Sequence, residues 1–163
     1  MIAIAQISAL PDCLSKLAEK ARNEGFHFID RLVADFEAGI NTFSKEGEAL
    51  FEARMNGSLV GIGGLNRDPY INKPRVGRVR RLYVDPDFRR AGVATLLMKA
   101  IERAAQDSYS ELRLLTDTDA GASFYTRLGY ESARNDKKVS HSKSILTASD
   151  PQLAESTITD QHS

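Results

Sequence analysis

The chain has 163 residues, 42% hydrophobic and 27% charged, which suits one compact α/β-sized domain and excludes a disordered or fibrous chain. Lys plus Arg and Asp plus Glu each total 22, so no net charge draws the whole molecule to nucleic acid or to an anionic membrane. Cys13 is the sole cysteine, which excludes an intrachain disulfide and a cysteine-based metal centre, and no metal is expected.

Ile2, Ile4 and Ile7 mark a first strand, closed by Pro11, which opens a helix. Leu14, Leu17, Ala18 and Ala21 recur at helical spacing up to Glu24-Gly25. A second helix is predicted from Phe28 to Gly39, with Gly25-Phe26-His27 as the hinge between the two. Ala49–Met55 and Leu59–Leu65 read as strands joined at Asn56-Gly57, a dipeptide that tolerates the positive φ of a tight hairpin turn. A polar loop, Asn66–Pro74, leads to a strand over Gly77–Val84, which Asp85-Pro86 stops.

Gly92 to Gln106 carries the clearest helical pattern, with Val93, Leu96, Leu97, Ala100, Ile101 and Ala104 on one face. A strand at Leu112–Leu115, a helix at Ala120–Leu128 capped by Gly129, and a strand pair at Tyr130–Ala133 and Val139–Leu146 complete the pattern. A domain over residues 1–148 and a solvated polar tail over 149–163 are expected. The pattern is mixed α/β: an antiparallel meander followed by a strand–helix–strand crossover.

Charge is distributed unevenly. Lys73, Arg75, Arg78, Arg80, Arg81, Arg89 and Arg90 face only Asp85 and Asp87 in the same stretch. A patch this short suits a small anionic ligand better than a duplex, which needs a longer positive track. No apolar run approaches the roughly 18 residues of a membrane span. The start, Met1-Ile2-Ala3-Ile4, lacks a secretory pattern. The expected setting is therefore the reducing cytoplasm, with neither nucleic acid nor membrane as partner, and with a homodimer allowed.

The chemistry concentrates between Leu82 and Thr95, where a strand passes through a short loop into a strongly amphipathic helix. The first N–H groups of a helix have no internal partner, and the helix dipole there favours negative charge. Ala91, Gly92 and Ala94 are small enough to let a phosphate approach the backbone, and Arg89 and Arg90 add charge at the rim. No Gly-Lys-Ser/Thr follows, so the loop is not a Walker phosphate loop, and no Gly-x-Gly-x-x-Gly supports a dinucleotide fold. A tight turn with solvated arginines is the bland alternative.

Arg89-x-x-Gly92-x-Ala94 resembles the Q/R-x-x-G-x-G/A signature of the GNAT N-acetyltransferase superfamily, and Arg80 through Pro86 resembles that family's fourth strand and its exit. Ala122-Ser123-Phe124-Tyr125 through Gly129-Tyr130 is similar to the family's A-x-x-F-Y-x-x-x-G-F segment. The resemblance runs from Met1 to about Leu146. It implies a GNAT-like fold: a mixed, mostly antiparallel twisted sheet of six to seven strands with about four helices, in the order β-α-α-β-β-β-α-β-α-β-β. It also implies that the fourth and fifth strands splay to admit acetyl-CoA, the acyl donor. Leu82, Tyr83 and Val84 would then lie along the pantetheine arm, and the N–H groups of Arg89, Arg90, Ala91, Gly92, Val93, Ala94 and Thr95 would hold the pyrophosphate. Tyr125 matches the tyrosine that protonates the departing thiolate. A phenol with an ordinary pKa of about 10 is protonated at neutral pH.

Some family members place a glutamate base six residues before Val84. Here that position is Arg78, which cannot act as a base. Glu52, Asp68, Asp117 and His27 remain as candidate bases, each with an ordinary structural explanation, and proton loss through ordered water is a further route. Phe26, His27, Phe28, Asn66, Asp68 and Tyr70 are expected near the acceptor amine. Arg78 and Arg80 share a strand face by the two-residue period, where they would favour an acceptor bearing a carboxylate or phosphate. The leading reading is acetyl transfer from acetyl-CoA to a primary amine of a small molecule. A protein lysine or N-terminus as acceptor, and a non-catalytic acyl-CoA sensor, are the alternatives.

Overall fold

A computed structural model describes residues 1–133 and 136–145. The proposed tail, 149–163, and Leu146 lie outside them. Seven strands and four α-helices follow in the expected order: β1 (Ile2–Gln6), α1 (Leu14–Asn23), α2 (Phe28–Glu37), β2 (Ala49–Met55), β3 (Ser58–Arg67), β4 (Val76–Val84), α3 (Val93–Ala105), β5 (Glu111–Leu114), α4 (Asp119–Arg127), β6 (Glu131–Ser132) and β7 (His141–Ser144). The architecture is the mixed α/β one the pattern implied.

The chain forms two compact units, one of residues 1–66 and 79–103, the other of 67–78 and 104 onward, and β4 runs through both. In the first unit β1 pairs antiparallel with β2, Ile2 opposite Met55, and β2 with β3, Ala49 opposite Leu65. Asn56 and Gly57, at φ of 51° and 85°, close the β2–β3 turn as their sequence requires. Leu14, Leu17, Ala18 and Ala21 of α1 and Ile29 and Leu32 of α2 are buried with Leu50, Ile62 and Tyr83 of the strands. Each fully buried leucine contributes roughly 1.5–3 kcal/mol over exposure, which is why this stripe fixes how the helices lie.

The opposite face of β3 takes α3, and glycines set the approach. A Cβ on Gly61 would meet Leu97 Cδ1 at 3.1 Å and Val93 Cγ1 at 3.2 Å, and one on Gly63 would meet Leu82 Cδ1 at 2.8 Å. Small residues on β3 thus bring the helix close enough for Leu97 and Ile101 to be fully buried.

In the second unit the first residues of β4 pair parallel with β5 at Val76–Glu111, Gly77–Leu112 and Arg78–Arg113. That pairing stops at Arg78. Strand β5 pairs antiparallel with β7, and β7 with β6. Three expected boundaries are corrected. Leu115 lies beyond β5 and is 53% exposed, because the β5–β7 pairing ends at Leu114–His141. Pro11 is followed by a turn rather than a helix, which begins at Leu14. Asn66 and Arg67 belong to β3 rather than to the loop.

Candidate functional site

The turn out of β4 is built by Asp85. Its backbone N–H donates to the Val60 carbonyl at 2.8 Å, and its Oδ1 accepts the N–H of Asp87 at 2.9 Å, so the strand ends against β3 and a single 3-10 turn, 86–88, follows. Arg90 and Gly92 then adopt left-handed backbone, at φ of 66° and 89°. For Arg90 that conformation is uncommon and costs of order 1–2 kcal/mol. Strain of this kind concentrates at ligand clamps and active sites.

These φ values decide what the loop presents. Leu96 is the first α3 residue to donate to a preceding carbonyl, that of Gly92 at 3.1 Å. The N–H groups of Arg90 through Thr95 have no acceptor among the described residues. They stand at the positive end of a 13-residue helix. A Cβ built on Gly92 meets nothing within 4 Å, so the space in front of the loop is open. Consecutive free donors, a helix N-terminus and an open approach fit a phosphate or diphosphate.

Of the neighbouring strand positions, Leu82 packs toward α3 while Tyr83 packs into the α1–α2 core, and Val84 is buried. Arg81, within β4 just before them, adopts left-handed backbone at φ 60°. The Arg80 side chain is half-buried and has no ion pair or hydrogen bond among the described residues, whereas Arg81 approaches Asp35 at 3.8 Å.

Arg89 is not a free rim charge. It forms a two-pronged pair with Glu24, NH1 to Oε2 at 2.8 Å and NH2 to Oε1 at 2.7 Å, and its guanidinium lies 5.6 Å from the centre of the Tyr83 ring. The Tyr83 hydroxyl donates to the same Glu24 carboxylate. Arg89 holds the Glu24 carboxyl below its ordinary value of 4.5. Burial, then the bond to Glu24, pushes the Tyr83 phenol up. Lys20 donates to Asp85 Oδ2 at 2.6 Å and Asp87 Oδ2 at 3.1 Å, and the Asp85 bond raises its pKa. These α1 contacts are absent from the expectations above. The only signal available was Lys20 and Glu24 four residues apart, and such spacing marks most solvated helix faces.

Other first-unit candidates are already engaged. Asn66 is buried, exchanging amide hydrogen bonds with Asn41 at 2.9 and 3.0 Å and donating to Glu48 at 2.6 Å. Glu52 accepts from Arg54 at 2.9 and 3.3 Å, which lowers its availability as a base. Phe26 and Phe28 pack on Tyr83 with ring centres 6.5 and 6.0 Å away, so both serve the core. His27 is exposed at the start of α2.

In the second unit, Arg78 and Asp68 meet each other. Arg78 donates from NH1 to Asp68 Oδ2 at 3.4 Å and from NH2 to the Lys138 carbonyl at 2.6 Å, with Tyr70 stacked 4.7 Å from its guanidinium. The other Asp68 oxygen accepts the N–H of Tyr70 at 2.8 Å. Both charged side chains are almost fully buried, Arg78 at 7% and Asp68 at 0% exposure. The pair anchors the 68–75 loop, and an arginine that replaces a would-be glutamate has a structural role here. Replacing Asp68 with alanine would remove the buried carboxylate that Arg78 approaches at 3.4 Å and Arg113 at 4.0 Å. We expect a loss of about 3 kcal/mol or more in urea unfolding; a loss under about 1 kcal/mol would show the pair to be dispensable.

Tyr125 lies on α4, whose N-terminus is capped by Thr118, its Oγ1 accepting the N–H of Gly121 at 3.0 Å. Asp117, a candidate base, is exposed and precedes that cap. The Tyr125 ring is 8% exposed, packed against Phe124, Tyr130 and His141. Its hydroxyl has no partner among the described residues. Nor is it sealed from solvent, since among the described residues no fully buried side-chain N or O atom lacks one. Burial pushes this phenol up, so it holds its proton throughout the neutral range.

Residues 46–132, more than half of the chain, match the family model described as an acetyltransferase (GNAT) domain. The chain belongs to the GNAT acetyltransferase family. An uncharacterized N-acetyltransferase of Methanocaldococcus jannaschii is 34% identical over 92 residues, covering 53% of this chain and 41% of that protein. The GNAT chain therefore spans less than half the length of that relative. Among solved structures, a candidate acetyltransferase from Exiguobacterium sp. 255-15 superposes with a TM-score of 0.79 at 23% identity, over 100% of this chain and 99% of its own. The ribosomal-protein-S18-alanine N-acetyltransferase of Escherichia coli superposes with a TM-score of 0.66 at 16% identity, over 93% and 98%. These likenesses show the GNAT fold. Proteins of the family bind an acyl-CoA and an acceptor, and the open N–H row at Arg90–Thr95 fits the diphosphate of such a donor. Among the described residues no group of His, Cys, Asp and Glu is arranged to hold a metal, and no helix is long and apolar enough to cross a membrane.

Proposed function

We propose that this GNAT chain transfers the acetyl group of acetyl-CoA to a primary amine of a small molecule. The observation that carries the reading is the run of N–H donors from Arg90 to Thr95, left without acceptors by the left-handed Arg90 and Gly92. Acetyl-CoA supplies the activated thioester. The amine nitrogen forms the new bond to the acetyl carbon, the carbon–sulfur bond breaks, the amine loses a proton and the coenzyme leaves as a free thiol. Tyr125, by its place in the family motif, holds at its phenolic oxygen the proton that the departing thiolate takes up, and its burial keeps that proton in place.

Two of the candidate carboxylates are already engaged: Glu52 is gripped by Arg54, and Asp68 by Arg78 and the Tyr70 N–H. Proton removal through water is the simpler route for an amine acceptor. The test is thiol release from acetyl-CoA against a panel of small primary amines, free amino acids and lysine-bearing or N-terminal peptides, with mass spectrometry of the products. Thiol release matched by an acetylated small amine supports the reading. Release with peptides alone moves the acceptor to protein, and acetyl-CoA binding without release to any amine makes the chain an acyl-CoA sensor.

A further inference from the structure

The contacts of α1 with the loop after β4 have a consequence for the donor site. We propose that Lys20 and Glu24 are positioning residues for the coenzyme diphosphate, holding the loop in the conformation that turns its N–H groups outward. The inference rests on the acetyl-CoA reading above and deepens it.

Three loop side chains and Tyr83 of β4 are held by Lys20 on α1 and by Glu24, the residue that follows the helix. Lys20 bridges Asp85 and Asp87, and Glu24 takes both Arg89 and Tyr83. The two rungs bracket the segment from the root of the turn to the residue just before the left-handed Arg90. That order matters. Arg90 occupies a costly φ, and such a conformation persists only where the flanking chain is over-determined. Asp85 Oδ1 is committed to the Asp87 N–H and Oδ2 to Lys20, so Lys20 completes the cap that forms the turn. Glu24 fixes Arg89 on the other side, with the Tyr83 ring beneath its guanidinium. A preorganised row of donors binds its anion without first ordering itself, so loosening the rungs lowers affinity without removing a single phosphate contact.

Lys20 has a second effect. It neutralises Asp85 and Asp87, carboxylates that would otherwise repel a diphosphate at the same loop. Both roles predict weaker binding when it is lost, so Lys20 alone does not separate positioning from simple charge. Glu24 does separate them. Removing an anion beside a diphosphate site should tighten binding if only long-range charge mattered, and should weaken it if Glu24 orders the loop.

The experiment is calorimetric titration of acetyl-CoA into the wild type, Glu24→Ala, Glu24→Gln, Lys20→Met and Lys20→Arg. S-acetylpantetheine, which lacks the diphosphate, serves as a second donor in the turnover assay. We expect Glu24→Ala and Lys20→Met each to weaken acetyl-CoA binding about fivefold to twentyfold, with Glu24→Gln intermediate and Lys20→Arg close to wild type. For Glu24→Ala and Lys20→Met, kcat/KM should fall for acetyl-CoA and hold within about twofold for S-acetylpantetheine. Unchanged or tighter acetyl-CoA binding by Glu24→Ala overturns the proposal, as does an equal fall on both donors, which marks a general structural defect. A wild type with no affinity for acetyl-CoA overturns the donor reading and this inference with it. Wild-type affinity with indifferent variants overturns this inference alone.

Discussion

Replacing Gly92 with glutamate should abolish acetyl-CoA binding, with affinity falling at least about a hundredfold, while the chain remains folded. Three effects add in the same direction. Gly92 sits at φ 89°, where a side-chain-bearing residue costs about 1–2 kcal/mol, so the turn shifts toward ordinary backbone and reorients its N–H groups. The space in front of its Cα is open, and a carboxylate placed there occupies the ground on which a phosphate would rest. The new negative charge then opposes the diphosphate, about 4 kcal/mol for one pair of unit charges at 4 Å and an effective dielectric of about 20. The charge effect alone exceeds the roughly 2.7 kcal/mol of a hundredfold change, and the other two act in the same direction. Because nothing in the protein touches the added Cβ, stability should fall only by the conformational cost. Gly92→Asn, which tolerates left-handed backbone and carries no charge, should melt close to wild type. Calorimetry with acetyl-CoA reads the result, and retained affinity in Gly92→Glu would remove the loop from the donor site.

Tyr125→Phe should slow acetyl transfer by at least about tenfold and leave acetyl-CoA affinity nearly unchanged. General acid catalysis contributes typically 10²–10⁴-fold, and water that reaches the departing sulfur would recover part of it. The substitution removes one oxygen from a ring already packed by Phe124, Tyr130 and His141, so the phenyl group refills the same space. That hydroxyl has no partner to orphan among the described residues, and stability should change little. The phenol's raised pKa sharpens the expectation. As a group held protonated, Tyr125 should impose no alkaline fall in rate near its ordinary value of 10.0, but only above it. Single-turnover rates for the two proteins at saturating acetyl-CoA are the measurement. Equal rates would take the acid role from Tyr125, whereas parallel losses in rate and affinity would point to packing.

Much of the fold was legible because it follows from local rules. The Leu14, Leu17, Ala18, Ala21 stripe, the Asn56-Gly57 turn and the Asp85-Pro86 stop each act over a few residues, and each appears where the sequence implies it. The Gly92-centred loop was legible for the same reason, since a glycine before an amphipathic helix marks a turn through local backbone preference. Strand ends were less so. Leu115 is as apolar as Leu114, and what excludes it from β5 is the end of pairing with β7, a relation between residues far apart in sequence.

The candidate polar residues divide along the same line. Charge and spacing identify Arg78, Asp68, Glu52 and Arg89 as ionisable groups near interesting segments, but a free carboxylate and a paired one have the same letter. Tertiary structure decided that Asp68 lies with Arg78, Glu52 with Arg54, and Arg89 with Glu24, because each pairing depends on which face of which element the side chain leaves from. The sequence by itself determined an α/β chain of the GNAT family with a loop shaped by Gly92 and the start of α3. Only the tertiary structure decided that α1 holds that loop through Lys20 and Glu24. Backbone preference is written into neighbouring residues, whereas an ion pair across 65 positions exists only once the chain has brought its two ends together.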